Sequence, residues 1–342
     1  IEVMTQTYDA LLVLSFGGPE GMEDVIPYLE NVLRGRPVPR ERLEEVAHHY
    51  YLFGGVSPLN NQNRALIAAL EADFAANGLN MPIYWGNRNW SPYLTDTLHQ
   101  MQTDGIQRAL ALFTTAYSSY SSCRQYREDI ARAQVELGDG APEVHKLRVY
   151  YNHPGFIQPN VENLYAALAQ LPPGRDAALV FTAHSIPMAM ARNSAYELQL
   201  REACQLVAQG VGRTDWSLVY QSRSGSPHQP WLEPDIGDHL SQLQAQGVTD
   251  VVVLPIGFIS DHMEVMYDLD TEAQQIARKL DLNLIRAATV GTHPQFIAMI
   301  RELIQERLSE YPVRRSLGER GPSHDVCPPT CCMPGEMARR TS

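Results

Sequence analysis

LQAQGVTDVVVLPIGFISD (243–261) decides how this chain is read, because an earlier stretch lines up with it without a gap. That stretch is MQTDGIQRALALFTTAYSS (101–119), in which Gly105 meets Gly247 and Leu112 meets Leu254. Both run from a polar segment through glycine into an apolar run and a polar turn. An unbroken apolar run between turns reads as a strand buried on both faces, the kind found in parallel sheets. A shorter echo supports the pairing: DALLVLSFGGP (9–19) resembles DAALVFTAHSIP (176–187). YWGNRNWSPYL (84–94) likewise echoes YQSRSGSPHQPWL (220–232), so that Arg88 parallels Arg223. Two similar halves meet at LPPGRD (171–176), a linker rich in Pro and Gly.

Apolar strands alternating with amphipathic segments imply α/β architecture with right-handed crossovers. The expected fold is two Rossmann-like domains, each a doubly wound parallel sheet, with a cleft between them facing the strand ends. The halves are expected at 8–173 and 174–312, followed by a Cys-containing tail at 313–342 rich in Pro and Gly. That tail lacks apolar residues to fold by itself and is expected to be disordered unless something pins it. Other expected elements include a helix from 62 to 76 capped by Asn60 or Asn61, a helix beginning near Cys123, a strand at 147–151 and a helix at 159–171.

At 342 residues the chain is long enough for two ordinary cores. A formal charge of -12 disfavours nucleic acid and anionic membranes as partners. No apolar run reaches the length of a membrane span and no secretory signal is visible, so a cytoplasmic monomer is expected. Five cysteines, three of them in the tail, do not suit a disulfide framework and point to metal or redox chemistry.

The chemistry centres on GFISDHMEVMYDLDTEA (257–273), which leaves the second apolar strand. Glu264, Asp268 and Glu272 recur every four residues and share one helical face. Stacked like charges destabilise an isolated helix. A solvated acidic face is one explanation; a path for a divalent cation is the other, favoured because open α/β sheets bind ligands at strand C-termini. His262 lies two residues before Glu264. His184 ends the strand of the FTAHSIP segment, where a neutral imidazole can act as a ligand or base. RGRPVPRER (34–42) is a locally basic loop, either solvated or suited to carboxylates.

LSFGGP, FGGVSPLNNQNR, FTAHSIP, YQSRSGSPHQPWLEP and GFISDHMEVMYDLDTEA, in this order and spacing, resemble the ferrochelatases, enzymes that insert ferrous iron into porphyrins. The match covers roughly 8–311 and looks closest to the actinobacterial branch, which is taken to use coproporphyrin III and to carry a 2Fe-2S cluster. The resemblance implies His184 and Glu264 as catalytic and iron-binding residues, with Asp268 and Glu272 continuing the metal path. It implies Ser57, Tyr126, Phe16, Arg34, His49 and Tyr50 around the porphyrin. Some bacterial relatives place a metal-reaching tyrosine where this chain has Phe16; phenylalanine cannot ligate and can only pack on the macrocycle. His49 stands where some relatives have a propionate-binding arginine. Substrate carboxylates are expected to meet Arg34, Arg36 or Arg124.

The resemblance also implies four cluster ligands: Cys123, Cys327, Cys331 and Cys332. The tail spacing C-P-P-T-C-C differs from known family patterns, and zinc held with His324 in place of one cysteine is the alternative. Cys204 falls on an apolar helix face and reads as core. Other readings are a protoporphyrin IX ferrochelatase, a cobalt- or nickel-inserting chelatase, or a non-catalytic tetrapyrrole or metal carrier. A carrier needs no base, which the His184 and Glu264 pair argues against, and the simpler cobalt chelatases lack the tail cysteines.

Overall fold

The computed structural model describes residues 7–35, 38–225 and 228–335. Its first half runs β1 (Ala10–Ser15), α1 (Val25–Val32), α2 (Arg40–Tyr51), α3 (Leu59–Ala76), β2 (Ile83–Asn87), α4 (Leu94–Thr103), β3 (Arg108–Phe113), α5 (Gln125–Leu137) and β4 (Glu143–Lys146). After α6 (Pro154–Leu168) come β5 (Ala178–His184), α7 (Met188–Arg192), α8 (Tyr196–Gly210), β6 (Ser217–Gln221), α9 (Ile236–Ala245) and β7 (Asp250–Leu254). The chain continues through α10 (Met263–Met266), α11 (Gln274–Lys279), β8 (Asn283–Arg286) and α12 (Pro294–Leu308).

Two four-stranded sheets result, ordered β2-β1-β3-β4 and β6-β5-β7-β8. Every pairing is parallel, with Leu11 opposite Ile83 and Leu110 in one sheet and Val180 opposite Ser217 and Val253 in the other. The identical order is the repeat made visible: α4 and β3 are the counterparts of α9 and β7, as the gapless match requires. β1 and β7 are buried at every position, which accounts for their unbroken apolar runs. In each sheet the chain reverses its winding direction beside the first strand, so the ligand crevices lie past the ends of β1/β3 and β5/β7.

One core serves both sheets. Leu11 and Leu112 of the first half belong to the same apolar cluster as Phe181 and Leu254 of the second, joined by Phe156 of α6 and Phe296 of α12. α6 packs on α8 and β7, although it precedes the linker, and α12 packs on both α6 and α3. Among the described residues no helix is long and apolar enough to cross a membrane.

Three local expectations are corrected. The strand expected at 147–151 lies earlier, as β4; Leu147 donates one hydrogen bond to Ala111 O (2.8 Å), then the chain leaves the sheet. Leu147, Val149, Tyr150 and Tyr151 are apolar because they are buried in the shared core, not because they pair. α6 starts five residues before Pro159, at Pro154, with the His153 imidazole accepting from Gly155 N (3.0 Å) as its cap. α3 starts at Leu59, so neither asparagine caps it. Asn60 instead donates to Gly18 O (3.2 Å) and Ser91 O (3.3 Å), tying the loops after β1 and β2 to α3. The tail, expected to be disordered unless something pins it, is held at several points among the described residues. Buried Arg148 donates to Arg315 O (2.8 Å), Asn152 exchanges hydrogen bonds with Leu317, and Glu202 accepts from Glu319 N (3.1 Å).

Candidate active site and cysteine centre

His184 is the last residue of β5, half-buried where its sheet opens on the cleft. Its Nδ1 lies 2.5 Å from Ser185 O, and a carbonyl can only accept. Nδ1 is therefore the donor, which leaves the Nε2 lone pair of the neutral ring for a proton or a metal. Tyr196 OH donates to His184 O (3.0 Å) and holds the strand end in place.

Glu264 enters from β7 through α10. Gln221, the last residue of β6, donates its side-chain amide to Glu264 O, so a strand two places across the sheet from β7 fixes this turn. The His262 Nδ1 pairs with the Glu264 carboxylate, and Phe258 packs edge-on against the His262 ring (4.7 Å between centroids). Burial alone would raise the Glu264 pKa, but the His262 charge and hydrogen bond outweigh it and hold the carboxyl down at about 2. The His262 imidazole is correspondingly pushed up by Glu264 against the pull of its own burial. Sequence reasoning noticed His262 but assigned it no role; its spacing two residues before the carboxylate was the available signal.

The acidic row does not sit on a regular α-helix. From Asp268 to Ala273 the chain makes a wide π-helical turn, with Glu272 N bonded to Tyr267 O (2.9 Å). Asp268 is half-buried and accepts from Ser222 Oγ. Ser222 holds φ of 61°, a left-handed value unusual for serine, in directing that hydroxyl. Burial first, then the charges of Glu264 and Glu272, push Asp268 up to about 7 despite the serine bond. Glu272 is exposed at the outer end of the row.

Across the cleft, α1 and α2 form an aromatic wall. Tyr28, Tyr50 and Met263 share one cluster, with Phe16, Trp90 and Tyr267 packed on it. His49 stacks on Tyr267 (3.8 Å, 13° between planes), joining α2 to the acidic segment. Tyr28, Tyr50 and Tyr126 are buried, which pushes each phenol up, and the Glu264 charge adds to that rise in all three. Tyr28 and Trp90 were not anticipated, being indistinguishable in sequence from ordinary core aromatics. Arg88 lies over the Tyr126 ring (5.9 Å) and pairs with Asp129 (3.0 Å). Ser57 and Arg34 are not part of that apolar cluster. Ser57 is buried against Gly18, where an added Cβ would meet its Cβ at 2.5 Å; Arg34 is exposed at the end of α1, bonded to Asn31 (2.7 Å). Arg36 lies outside the described residues. Arg124 is not free for a substrate carboxylate: it pairs with Glu128 (2.7 Å) and donates to Pro329 O (2.7 Å) and Cys331 O (3.0 Å).

The tail carries its cysteines to α5. Cys123, buried in a second π-helical turn over Tyr120–Arg124, hydrogen-bonds Cys327. Cys327 also bonds Cys331, whose sulfur lies 3.6 Å from Cys332. The donor atoms of His324, Cys327 and Cys331 fall within 4.8 Å of one another. Cys327 ionises first, helped by the Cys123 hydrogen bond and by Lys146, while Cys123 is pushed up by donating that bond and by its burial. Cys204 is fully buried in the core of α8 and takes no part.

Two similar parallel-sheet halves, with a histidine ending β5 and a carboxylate on the helix after the adjacent β7, make a chelatase-type fold. Two solved structures share that fold: SirB from Bacillus subtilis with Fe3+ (TM-score 0.53, 13% identity, 89% of this chain and 96% of that one), and a sirohydrochlorin chelatase SirB in complex with cobalt (TM-score 0.51, 13% identity, 88% and 96%). The Ferrochelatase family model matches residues 8–308, and the chain belongs to that family. Relatives include a ferrochelatase of Rhodopirellula baltica (57% identical, 95% of this chain, 93% of the relative). A coproporphyrin III ferrochelatase of Streptomyces coelicolor is 54% identical over the same shares. The protein is thus an enzyme of haem synthesis that inserts iron into a porphyrin.

Proposed function

We propose that this ferrochelatase uses coproporphyrin III and that His184 and Glu264 carry out the insertion. The relatives named for that substrate, at 54% identity in Streptomyces coelicolor, support the porphyrin assignment. The observation that carries the residue assignment is how the two groups are prepared: an imidazole whose Nδ1 is held by Ser185 O, leaving Nε2 bare, and a carboxylate kept ionised by His262. Fe2+ entering the macrocycle displaces two pyrrole protons, so the site needs both a metal ligand and a proton acceptor. Glu264 offers oxygens to the hydrated ion, and His184 takes the first proton or steadies the iron. Asp268, near pKa 7, exchanges protons at neutral pH and hands them to exposed Glu272 and solvent, while the same row feeds metal inward. Tyr50, Tyr126, Phe16 and His49 hold the macrocycle, with Ser57 and Arg34 toward its rim. Bending the ring so its lone pairs leave the plane draws about 1–5 kcal/mol from those contacts. Anaerobic Fe2+ with coproporphyrin III or protoporphyrin IX, followed by absorbance, tests the reading. Faster turnover of coproporphyrin III is expected; preference for protoporphyrin IX would overturn the substrate.

A 2Fe-2S cluster on Cys123, Cys327, Cys331 and Cys332 completes the reading. What supports it is a chain of four soft sulfur donors, Cys123 to Cys327 to Cys331 to Cys332, which is the ligand type such a cluster takes. His324 beside Cys327 and Cys331 keeps a zinc site as the competing reading. Bound there, the cluster would supply an electron-accepting centre and a tie between tail and α5. We divide the chain into halves at 8–173 and 174–312 with the tail at 313–342, and take it to act as a monomer in the reducing cytoplasm, where unpaired clustered cysteines persist.

A further inference from the structure

We propose that Arg286 is a positioning residue for iron insertion: its one guanidinium, forked onto Asp261 and Asp270, holds both ends of the segment that carries His262 and Glu264. The inference rests on Glu264 acting on iron as read above. That segment cannot place itself. α10 is a helix of four residues, far too short to keep its shape alone, and it runs into the π-helical turn over Asp268–Ala273. Tertiary contacts must therefore decide where the Glu264 carboxylate stands.

Arg286 ends β8, the edge strand beside β7, and is half-buried. Its Nε and Nη2 donate to the two oxygens of Asp270 (2.5 and 2.9 Å). Its Nη1 and Nη2 also donate to the two oxygens of Asp261 (3.3 and 3.4 Å). Asp261 directly precedes His262, and Asp270 lies inside the π-helical turn, between Asp268 and Glu272. Asp261 is fixed from two further sides. Thr289 Oγ1 donates to its carboxylate (3.1 Å), and its own N donates to Gln62 Oε1 (3.0 Å), reaching from α3 of the first half. A single exposed ion pair adds little to stability. A planar fork meeting two carboxylates is a geometric restraint instead, and lysine, a point charge, does not reproduce it. Removing the fork also leaves two uncompensated carboxylates beside an already acidic row. Both effects fall on the metal side of the site, whereas Tyr28 and Tyr50 stand on α1 and α2, outside the clamped segment.

Two variants of the full chain separate fork from charge. Arg286→Gln removes both, and Arg286→Lys keeps the charge alone. Anaerobic steady-state insertion is measured with Fe2+ and with the porphyrin accepted by the parent varied in turn, beside thermal melting. Arg286→Gln is expected to lower kcat about 10- to 100-fold, the scale of a misplaced reacting group, and to raise KM for Fe2+ several-fold, with KM for the porphyrin within about twofold. Arg286→Lys should recover only part of kcat, and Asp270→Asn, which loosens the same fork, should move the same two constants in the same direction. If Arg286→Gln fails to fold, Arg286→Lys and Asp270→Asn decide. Parental kcat and Fe2+ KM in Arg286→Gln would overturn the inference. So would an equal rise in both KM values with a lowered melting temperature, which marks a merely structural role, and so would full recovery by Arg286→Lys. Near-parental turnover in Glu264→Gln would instead overturn the reading on which the inference rests.

Discussion

His184 and Glu264 differ in how each is prepared. The imidazole is fixed by a backbone carbonyl one residue away, whereas the carboxylate depends on a partner, His262, and on an amide from another strand. The ring's free Nε2 cannot be replaced by a methyl group. His184→Ala should lower kcat about 100-fold or more, the scale of losing a positioned base, while porphyrin affinity measured by fluorescence quenching stays within a few-fold. Near-parental turnover would refute the assignment. Departures from the family stand at this scale too: Phe16 packs on the aromatic wall, and His49 stacks on Tyr267 rather than presenting a guanidinium.

At the level of elements, the turn after α10 gives the row a direction. Glu264 is held ionised, Asp268 lies near neutrality and Glu272 is exposed. Steady-state insertion should therefore fall most in Glu264→Gln, less in Asp268→Asn and least in Glu272→Gln; equal losses at all three would contradict a directional path. The cap of α6 predicts a pH effect. Burial, with Arg148 and Arg315, drops His153 from 6.5 to about 3. Between those values the unfolded chain binds the extra proton, so stability falls as pH drops below about 6.5, by up to about 1.4 kcal/mol per unit. His153→Asn keeps a capping oxygen, and its urea midpoint should lose less than the parent's between pH 7 and pH 5. Parallel profiles would exclude His153 as the source.

On the scale of the whole molecule, the tail links what the linker separates. Arg148 and Glu306 form a buried two-pronged pair (both bonds 2.8 Å), and Arg148 also grips the tail at Arg315. Arg148→Ala strands a buried carboxylate, so a loss of about 3–5 kcal/mol in unfolding free energy is expected, with earlier proteolysis of the tail. Unchanged melting and proteolysis would show the pair to be dispensable. The cysteine centre makes a separate claim: Cys123→Ser and Cys332→Ser should be colourless and less stable, and Cys204→Ser coloured. A Cys123→Ser spectrum identical to the parent's would sink the cluster, not the chelatase.

Repetition and local pattern were enough to place two parallel sheets, because strands buried on both faces leave unbroken apolar runs and the gapless match carried α4 and β3 onto α9 and β7. They also put His184 at the end of its strand, since a residue's position along its own strand is a local property, whereas Glu264 lies beyond its strand, on α10. Local pattern misplaced β4, because hydrophobicity reports burial and says nothing of hydrogen-bond partners; Leu147 and Tyr151 are buried without pairing along a strand. It likewise sent Arg124 toward substrate, when the donors of that side chain close on carbonyls some two hundred residues away. Which nitrogen of His184 is bare and which carboxyl of the row is pushed toward neutrality depend on the tertiary structure. Each depends on burial and on charges brought together from distant parts of the chain, and no periodicity encodes those.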